Sequence, residues 1–194
     1  MKKISSKQNS TAVDGSGLFN RTNIYQLQSS SYSSKINILL ESLIEEDDNQ
    51  IDPPNALTAE ADEKLDFNNI GHYREDIEEF SAQLSIVEEK IDAIDGQIPG
   101  SKARILKAIH QHYKNQKREL LIEKNICHGD KERTIIEIRK NSDYILNEIS
   151  KKIIEHAKPD LIDKDIETMR EVSNIVLCYG FVNCKILENP NDYT

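Results

Sequence analysis

Apolar residues recur at helical spacing through most of the chain and predict a protein built from helices. Between positions 77 and 94 they alternate in steps of three and four, as on the buried seam of packed helices. These residues are Ile77, Phe80, Leu84, Val87, Ile91 and Ile94. Because the seam covers less than three heptads, an isolated coiled coil would be marginal, and packing against the following helices of the same chain is favoured.

Proline and glycine divide this pattern into a small number of helices. We predict helices over about residues 34–46, 72–95, 101–125 and 131–157, and a last one from about 163–165 onward. Ser101 is the expected N-cap of the third, since it follows Pro99-Gly100. The predicted fold is mainly α, an antiparallel bundle of four to five helices with a short N-terminal extended or β segment.

The first 34 residues differ in composition from the rest. Nine serines lie among Asn, Gln, Thr and Gly, a composition that buries too little apolar surface to offset chain entropy. We therefore expect residues 1–34 to form a flexible polar segment, with a short strand near 18–27, and residues 35–190 to form a helical docking domain. Segments that order on binding use large apolar side chains. The candidate anchors are Phe19, Ile24, Tyr25 and Leu27.

The most apolar stretch lies near the end of the chain, at residues 175–182, and carries no charge. It is too short for a bilayer, which requires about 20 apolar residues. A helix that is apolar on all sides is typical of a central core element. We predict that this stretch is buried in the chain's own core or against a partner.

Bulk composition narrows the class of protein. The formal net charge of −9 argues against general nucleic-acid binding, which requires a cationic surface. Three widely spaced cysteines and a polar N-terminus indicate a reducing compartment without secretion, so a cytoplasmic location is expected. Neither feature indicates a membrane protein.

Charge is nevertheless segregated along the chain. Residues 59–95 hold twelve acids and three bases, whereas residues 102–124 hold seven bases and two acids. One interpretation is that two neighbouring helices attract each other and the remaining charges are solvated. The other is that acidic and basic faces serve different partners. On the second interpretation the candidate partner-binding bases are Lys107, Lys114, Lys117 and Arg118.

No familiar catalytic motif occurs in the sequence. Asp14-Gly15-Ser16-Gly17 lacks the Lys-Ser/Thr of a phosphate loop. His110 and His112 are two residues apart, so they point in different directions on a helix. Cys127-His128 places a thiol beside an imidazole, but catalysis requires spatial alignment rather than adjacency. We expect a protein without enzymatic activity, metal or cofactor.

Four stretches of the chain resemble, in the same order, the C-terminal domains of ABC-three-component systems, bacterial conflict systems that include the Lamassu antiphage group. They are the Lys-Leu-Asp-Phe-Asn-Asn run at 64–69, the basic helix from Lys102 to Tyr113, the Ile-Arg-Lys-Asn-Ser-Asp run at 138–143, and the closing motif at 179–190. The lead-in at 9–24 is similar to the segment that joins an effector to such a domain. The resemblance covers roughly residues 8–190.

The resemblance implies a helical docking domain that ties an effector, often a nuclease, to an SMC-like ABC ATPase and a small middle component. The thirty-four polar residues before the helical part are too few to encode a nuclease, so we expect either that the effector is another chain or that the role is purely structural. The expected function is a non-catalytic, regulatory subunit of an antiphage defence complex. Two alternatives stay open: an adaptor that self-associates through the 77–94 seam, and a weak nucleic-acid-binding module that uses the basic residues 102–124.

Overall fold

A computed structural model describes residues 34–44, 61–80, 84–155, 166–184 and 186–193. These residues are 84% helical and contain no strand, which confirms the mainly α prediction. Helix α1 covers residues 34–44. The other helices are α2 (Ala61–Phe67), α3 (His72–Phe80), α4 (Leu84–Gln97), α5 (Ser101–Glu123), α6 (Lys131–Lys140), α7 (Ser142–Glu155), α8 (Ile166–Asn183) and a 3-10 turn, Pro190–Asp192.

The predicted N-terminal strand lies outside the described residues, and so does the predicted flexible segment apart from Ser34, which begins α1. The candidate anchors Phe19, Ile24, Tyr25 and Leu27 also lie outside the described residues. The strand, the flexible segment and the four anchors therefore stay predictions.

Helix α8 forms the centre of the core, as its apolar run predicts. It contacts α3, α4, α5 and α7. From Ile175 to Phe181 every residue is buried, and Ile186 and Leu187 beyond the helix are buried as well. Of the two settings predicted for residues 175–182, the chain's own core or a partner, the structure shows the first for residues 175–181, and Val182 is half-buried.

The 77–94 seam is also used within the chain. Ile77, Val87 and Ile91 are at most 5% exposed, and the partly buried Phe80, Leu84 and Ile94 pack against the same core. The seam therefore faces the neighbouring helices of its own chain.

The prediction of a single helix over 131–157 was wrong, because the helix is interrupted at Asn141, between α6 and α7. Asn141 has φ −119° and its side chain donates to the Glu137 carbonyl at 2.8 Å. Such local side-chain bonds compete with helix continuation. Two residues later, the Asp143 carboxylate accepts the backbone N–H groups of Gly71 and Tyr73, both at 3.1 Å. The break thus directs Asp143 to the start of α3.

The predicted cap at Ser101 was wrong as well. The residue before α5 is Gly100, with φ +88°, and it makes no side-chain cap. The Ser101 hydroxyl instead donates to the Ile98 carbonyl at 2.6 Å. Asp95, at the end of α4, accepts the backbone N–H of Lys102 at 2.9 Å. The Asp95 carboxylate of α4 therefore accepts one of the backbone N–H groups that lack a partner in the first turn of α5.

Candidate site at the carboxyl-terminal segment

The end of α8 is capped by a buried lysine from α2. The Lys64 ammonium donates to the carbonyls of Phe181 and Cys184, at 2.5 and 3.2 Å. It also lies 4.3 Å from the ring centre of Phe181. Lys64 is 2% exposed, and burial lowers the pKa of its ammonium to about 8. A cation at a helix C-terminus satisfies carbonyls that would otherwise lack donors.

Beyond α8 the chain forms a segment that we call the C-terminal strap, residues 186–193. Asn68 holds its backbone. The Asn68 amide donates to the Glu188 carbonyl at 2.8 Å, and its side-chain oxygen accepts the Glu188 N–H at 3.0 Å. The same amide donates to the Lys64 carbonyl at 2.9 Å. Asn68 is fully buried, so this one side chain joins α2 to the strap as a neighbouring strand would.

The Glu188 carboxylate is the centre of a second set of contacts. It accepts hydrogen bonds from the Tyr113 hydroxyl, from Lys117 at 2.5 Å and from the Tyr193 hydroxyl at 2.5 Å. Burial by itself raises the pKa of this carboxyl, but Lys117 and the donated hydrogen bonds outweigh burial, so the pKa lies below its ordinary value. Glu188 is therefore held as a carboxylate, with both oxygens used inside the molecule.

Glycine at position 180 allows α8 and α5 to approach closely. A Cβ at Gly180 would lie 2.8 Å from Ile109 Cγ2 and 3.1 Å from Ile186 Cδ1. Because Cβ atoms essentially never approach another heavy atom to 2.8 Å, a side chain at position 180 would require Ile109 to move. This contact places Ile109 of the basic helix against both α8 and the strap.

A third connection joins the start of α7 to the end of α2. Besides the Asp143 contacts to the start of α3, the Ser142 hydroxyl donates to the Asn69 carbonyl at 3.3 Å. Asn69 has φ +53°, a conformation that asparagine tolerates better than most residues. The Asn-Asn and Asn-Ser-Asp runs are therefore adjacent in space, more than 70 residues apart in sequence.

The four stretches that carry the family resemblance thus come together. Lys64 and Asn68 hold the closing motif, Tyr113 donates to Glu188, and Ser142 and Asp143 brace the 64–73 region. Most of these side chains are buried or half-buried. We call this set of contacts the polar frame. Within it, Asn68 and Tyr113 contact the strap, and Lys64 contacts the end of α8. Ser142 and Asp143 contact residues 69–73.

A groove of about 350 Å³ lies beside the polar frame. Its walls are the second half of α5, the 124–130 loop, the first turn of α6 and the strap. The lining residues are Lys117, Leu121, His128, Gly129, Lys131, Thr134, Glu188, Asp192 and Tyr193. A volume of this size falls within the range of ligand pockets.

The titratable side chains of this region are held by burial and by internal hydrogen bonds. Glu188 is saturated by donors. Burial raises the thiol pKa values of Cys178 and Cys184 to about 12, so both stay protonated and unreactive. Cys127 is exposed. Within the described ranges no group of three or more His, Cys, Asp or Glu side chains is arranged to hold a metal ion.

The four candidate bases all lie on α5, but in different environments. Lys114 and Arg118 are exposed, whereas Lys107 and Lys117 are half-buried. Lys117 is bound to Glu188. At the other end of the helix, Lys102 lies 3.1 Å from Asp92 and 3.4 Å from Glu88. The attraction between neighbouring acidic and basic helices is therefore present at this end of α5.

Sequence reasoning did not assign site roles to Lys64, Asn68 or Glu188. All three are polar residues outside the apolar stripes, and periodicity alone treats such residues as solvated. The sequence feature that includes them is the set of stretches that carry the resemblance, since Lys64 and Asn68 lie in the 64–69 run and Glu188 lies in the 179–190 motif.

None of the described helices combines the length and the apolar character that crossing a bilayer requires. Comparison with protein-family models, with curated proteins and with solved structures gives no match to this chain.

Proposed function

We propose that this chain is a non-catalytic subunit of a bacterial antiphage defence complex, which docks on an SMC-like ABC ATPase and regulates its effector. The proposal combines the motif order with one structural observation. Residues of all four stretches meet in the polar frame, through contacts that span up to 120 residues of sequence.

The frame also supports a docking role on physical grounds. It fixes the strap against α2 and α5, so the surface formed by these elements is preorganised. Preorganised surfaces lose less conformational entropy on association. The side chains of the frame point inward, and the partner would contact what they hold in place.

Of the two alternatives, neither is favoured by a specific contact. The seam proposed for self-association is occupied by the core of its own chain. Among the bases of α5, Lys102 and Lys117 are engaged by acids within the chain. The proposal therefore assigns the basic helix to protein contacts.

Co-purification tests the proposal. The tagged chain is expressed with its neighbouring genes, and the retained proteins are identified by mass spectrometry and assayed for ATP hydrolysis. We expect a stable complex that contains an SMC-like ATPase. A chain that elutes alone as a monomer, under conditions where those neighbours are expressed and soluble, would contradict the proposal.

A phage challenge adds a matched pair of variants. Glu188→Ala removes the centre of the polar frame, whereas Glu123→Ala removes an exposed acid that pairs with Lys124 on the surface of α5. We expect loss of protection for the first variant and full protection for the second, measured as efficiency of plating in cells carrying the whole operon. Equal protection by both would show that the frame has no part in defence.

A further inference from the structure

The surface that borders the groove is basic in a protein whose net charge is −9. Lys117 and Lys131 line it from two different elements. Lys114 and Arg118 lie three residues before and one residue after Lys117, on the adjoining strip of α5, and both are exposed. Residues three and four apart are neighbours on a helix, so Lys114, Arg118 and Leu121 form one continuous edge.

Two acids, Glu188 and Asp192, line the groove together with Lys117 and Lys131. Glu188 is 9% exposed and fully used by the polar frame. Asp192 is exposed at the far wall. Lys131 donates to the backbone carbonyl of Asp192 at 3.3 Å, and Lys114 and Arg118 add two exposed bases on the α5 side. The groove edge therefore carries a local excess of positive charge.

The walls of the groove combine this charge with apolar surface. Leu121 lies on the α5 side, and the ring of Tyr193 lies on the strap side. Lys131 is 5.8 Å from the centre of that ring, so the cation and the aromatic wall are presented together. Such a surface fits an occupant with an apolar side chain flanked by carboxylates.

We propose that the groove and its basic edge bind an acidic, leucine-containing segment of a partner protein. The inference rests on the docking role proposed above and names the surface that performs it. Leu121 and Tyr193 receive the apolar side chain, while Lys114, Arg118 and Lys131 contact the flanking carboxylates. Electrostatic complementarity of this kind accelerates association and selects the partner.

Fluorescence anisotropy with a defined probe tests the site directly. The probe is a labelled twelve-residue peptide in which Glu and Asp alternate with Leu, and the full-length chain is the titrant. The charge reversal Lys114→Glu with Arg118→Glu uses exposed positions, so folding is retained. We expect this double variant to weaken binding at least about tenfold, since two attractions become repulsions. Raising the salt concentration should also weaken binding.

Matched controls separate this site from general charge effects. Arg139→Glu with Arg170→Glu makes the same change of net charge at exposed positions of α6 and α8 and should leave binding within about twofold. A labelled single-stranded DNA of twelve nucleotides is the competing probe. Failure of the acidic peptide to bind, equal losses in both double variants, or DNA binding that depends on Lys114 and Arg118 in place of peptide binding would each overturn the proposal.

Co-purification with the operon distinguishes failure of this inference from failure of the proposed function. If the wild-type chain recovers the ATPase and the Lys114→Glu/Arg118→Glu variant recovers it equally well, the docking role stands and the groove assignment is wrong. If the wild-type chain recovers no partner, the docking role itself fails.

Discussion

The strap and the α4–α5 surface both use a lysine to hold a neighbouring element, but the physical settings differ. In the polar frame, Lys64 is 2% exposed and donates to carbonyls at the end of α8, and Glu188, in the strap, is 9% exposed and accepts three hydrogen bonds. At the α4–α5 surface, the Lys102 side chain is 39% exposed and its partners Glu88 and Asp92 are 54% and 59% exposed. The first set is shielded from water and the second is not.

The comparison shows which contacts can specify this fold. Ion pairs in water gain little because both charges are already solvated. Buried polar groups are costly when their partners are missing, so their arrangement is strongly constrained. The polar frame therefore fixes one position for the strap, whereas the surface pairs only adjust the stability of helices that apolar packing has already placed.

The largest effect is expected from Glu188→Ala. The change leaves the buried Tyr113 hydroxyl without its acceptor and Lys117 without its counter-charge. We expect the free energy of unfolding to fall by about 3 kcal/mol, at the lower end for broken buried pairs because the Lys117 side chain is 28% exposed. Urea unfolding followed by circular dichroism measures it. Glu123→Ala is the exposed control, and a similar loss in that variant would remove the distinction between the two regions.

Asn68→Ala tests the frame at its backbone contacts. The N–H and carbonyl of Glu188 would both lose their partner in a buried setting. We expect a loss of about 2 kcal/mol in the free energy of unfolding. Asn115→Ala removes a hydrogen bond to Gln111 on the surface of α5 and should cost less than about 0.5 kcal/mol. Equal values for the two variants would show that Asn68 adds no more than a surface amide.

Because Lys64 is buried, the free energy of unfolding should depend on pH. The unfolded chain keeps this proton up to about pH 10.5, whereas the folded protein releases it above about pH 8. Between these values the unfolded state binds more protons, so stability rises with pH. We expect Lys64 to contribute a gain of about 1 kcal/mol from pH 7.5 to 9. From about pH 8 upward the buried thiols of Cys178 and Cys184 act in the opposite direction, because they ionise first in the unfolded chain.

The control for this gain is Lys64→Met, which has no proton to release at this position. The unfolding free energy of the Met variant should fall over the same interval, because the thiols of Cys178 and Cys184 ionise first in the unfolded chain. The stability difference between the wild-type protein and the variant should therefore rise by about 1 kcal/mol from pH 7.5 to 9, as measured by urea titrations at each pH. A difference that stays constant over this interval would contradict the assignment to Lys64.

The smallest effect is expected at Lys102. Lys102→Ala should lower the free energy of unfolding by about 0.2–1 kcal/mol, because the pairs with Glu88 and Asp92 are screened by water. The difference should shrink further in 1 M NaCl, where the screening length is about 3 Å. Thermal unfolding at low and high salt measures it. A loss as large as that of Glu188→Ala would mean that exposed ion pairs specify this fold after all.

The helical pattern was readable from the sequence, because the periodicity of apolar residues is a local property. Ile77, Val87, Ile91 and the 175–182 run were predicted to be inward-facing, and the structure buries most of them fully. The interruption at Asn141 was not predicted, because a few polar residues are common within a long helical pattern. It is explained by the contact of Asp143 with the backbone of Tyr73 at the start of α3, 70 residues away.

The candidate site was less predictable than the fold. Lys117 was singled out as a surface base for a partner, and the structure gives it an internal one, Glu188. The exposed positions of Lys114 and Arg118 leave their predicted role untested. Apolar periodicity carries no information about which distant carboxylate meets which lysine.

By itself, the sequence determined a mainly helical protein with an apolar final helix at its centre. Each buried residue stabilises the fold in proportion to its own apolar surface, whichever neighbours it packs against. Only the tertiary structure decided that Lys64 caps α8 across 117 residues and that Asn68 holds Glu188 across 120. Polar contacts require a donor and an acceptor within about 3 Å. Such distances between residues far apart in sequence are set when the whole chain folds, so a local sequence pattern does not predict these contacts.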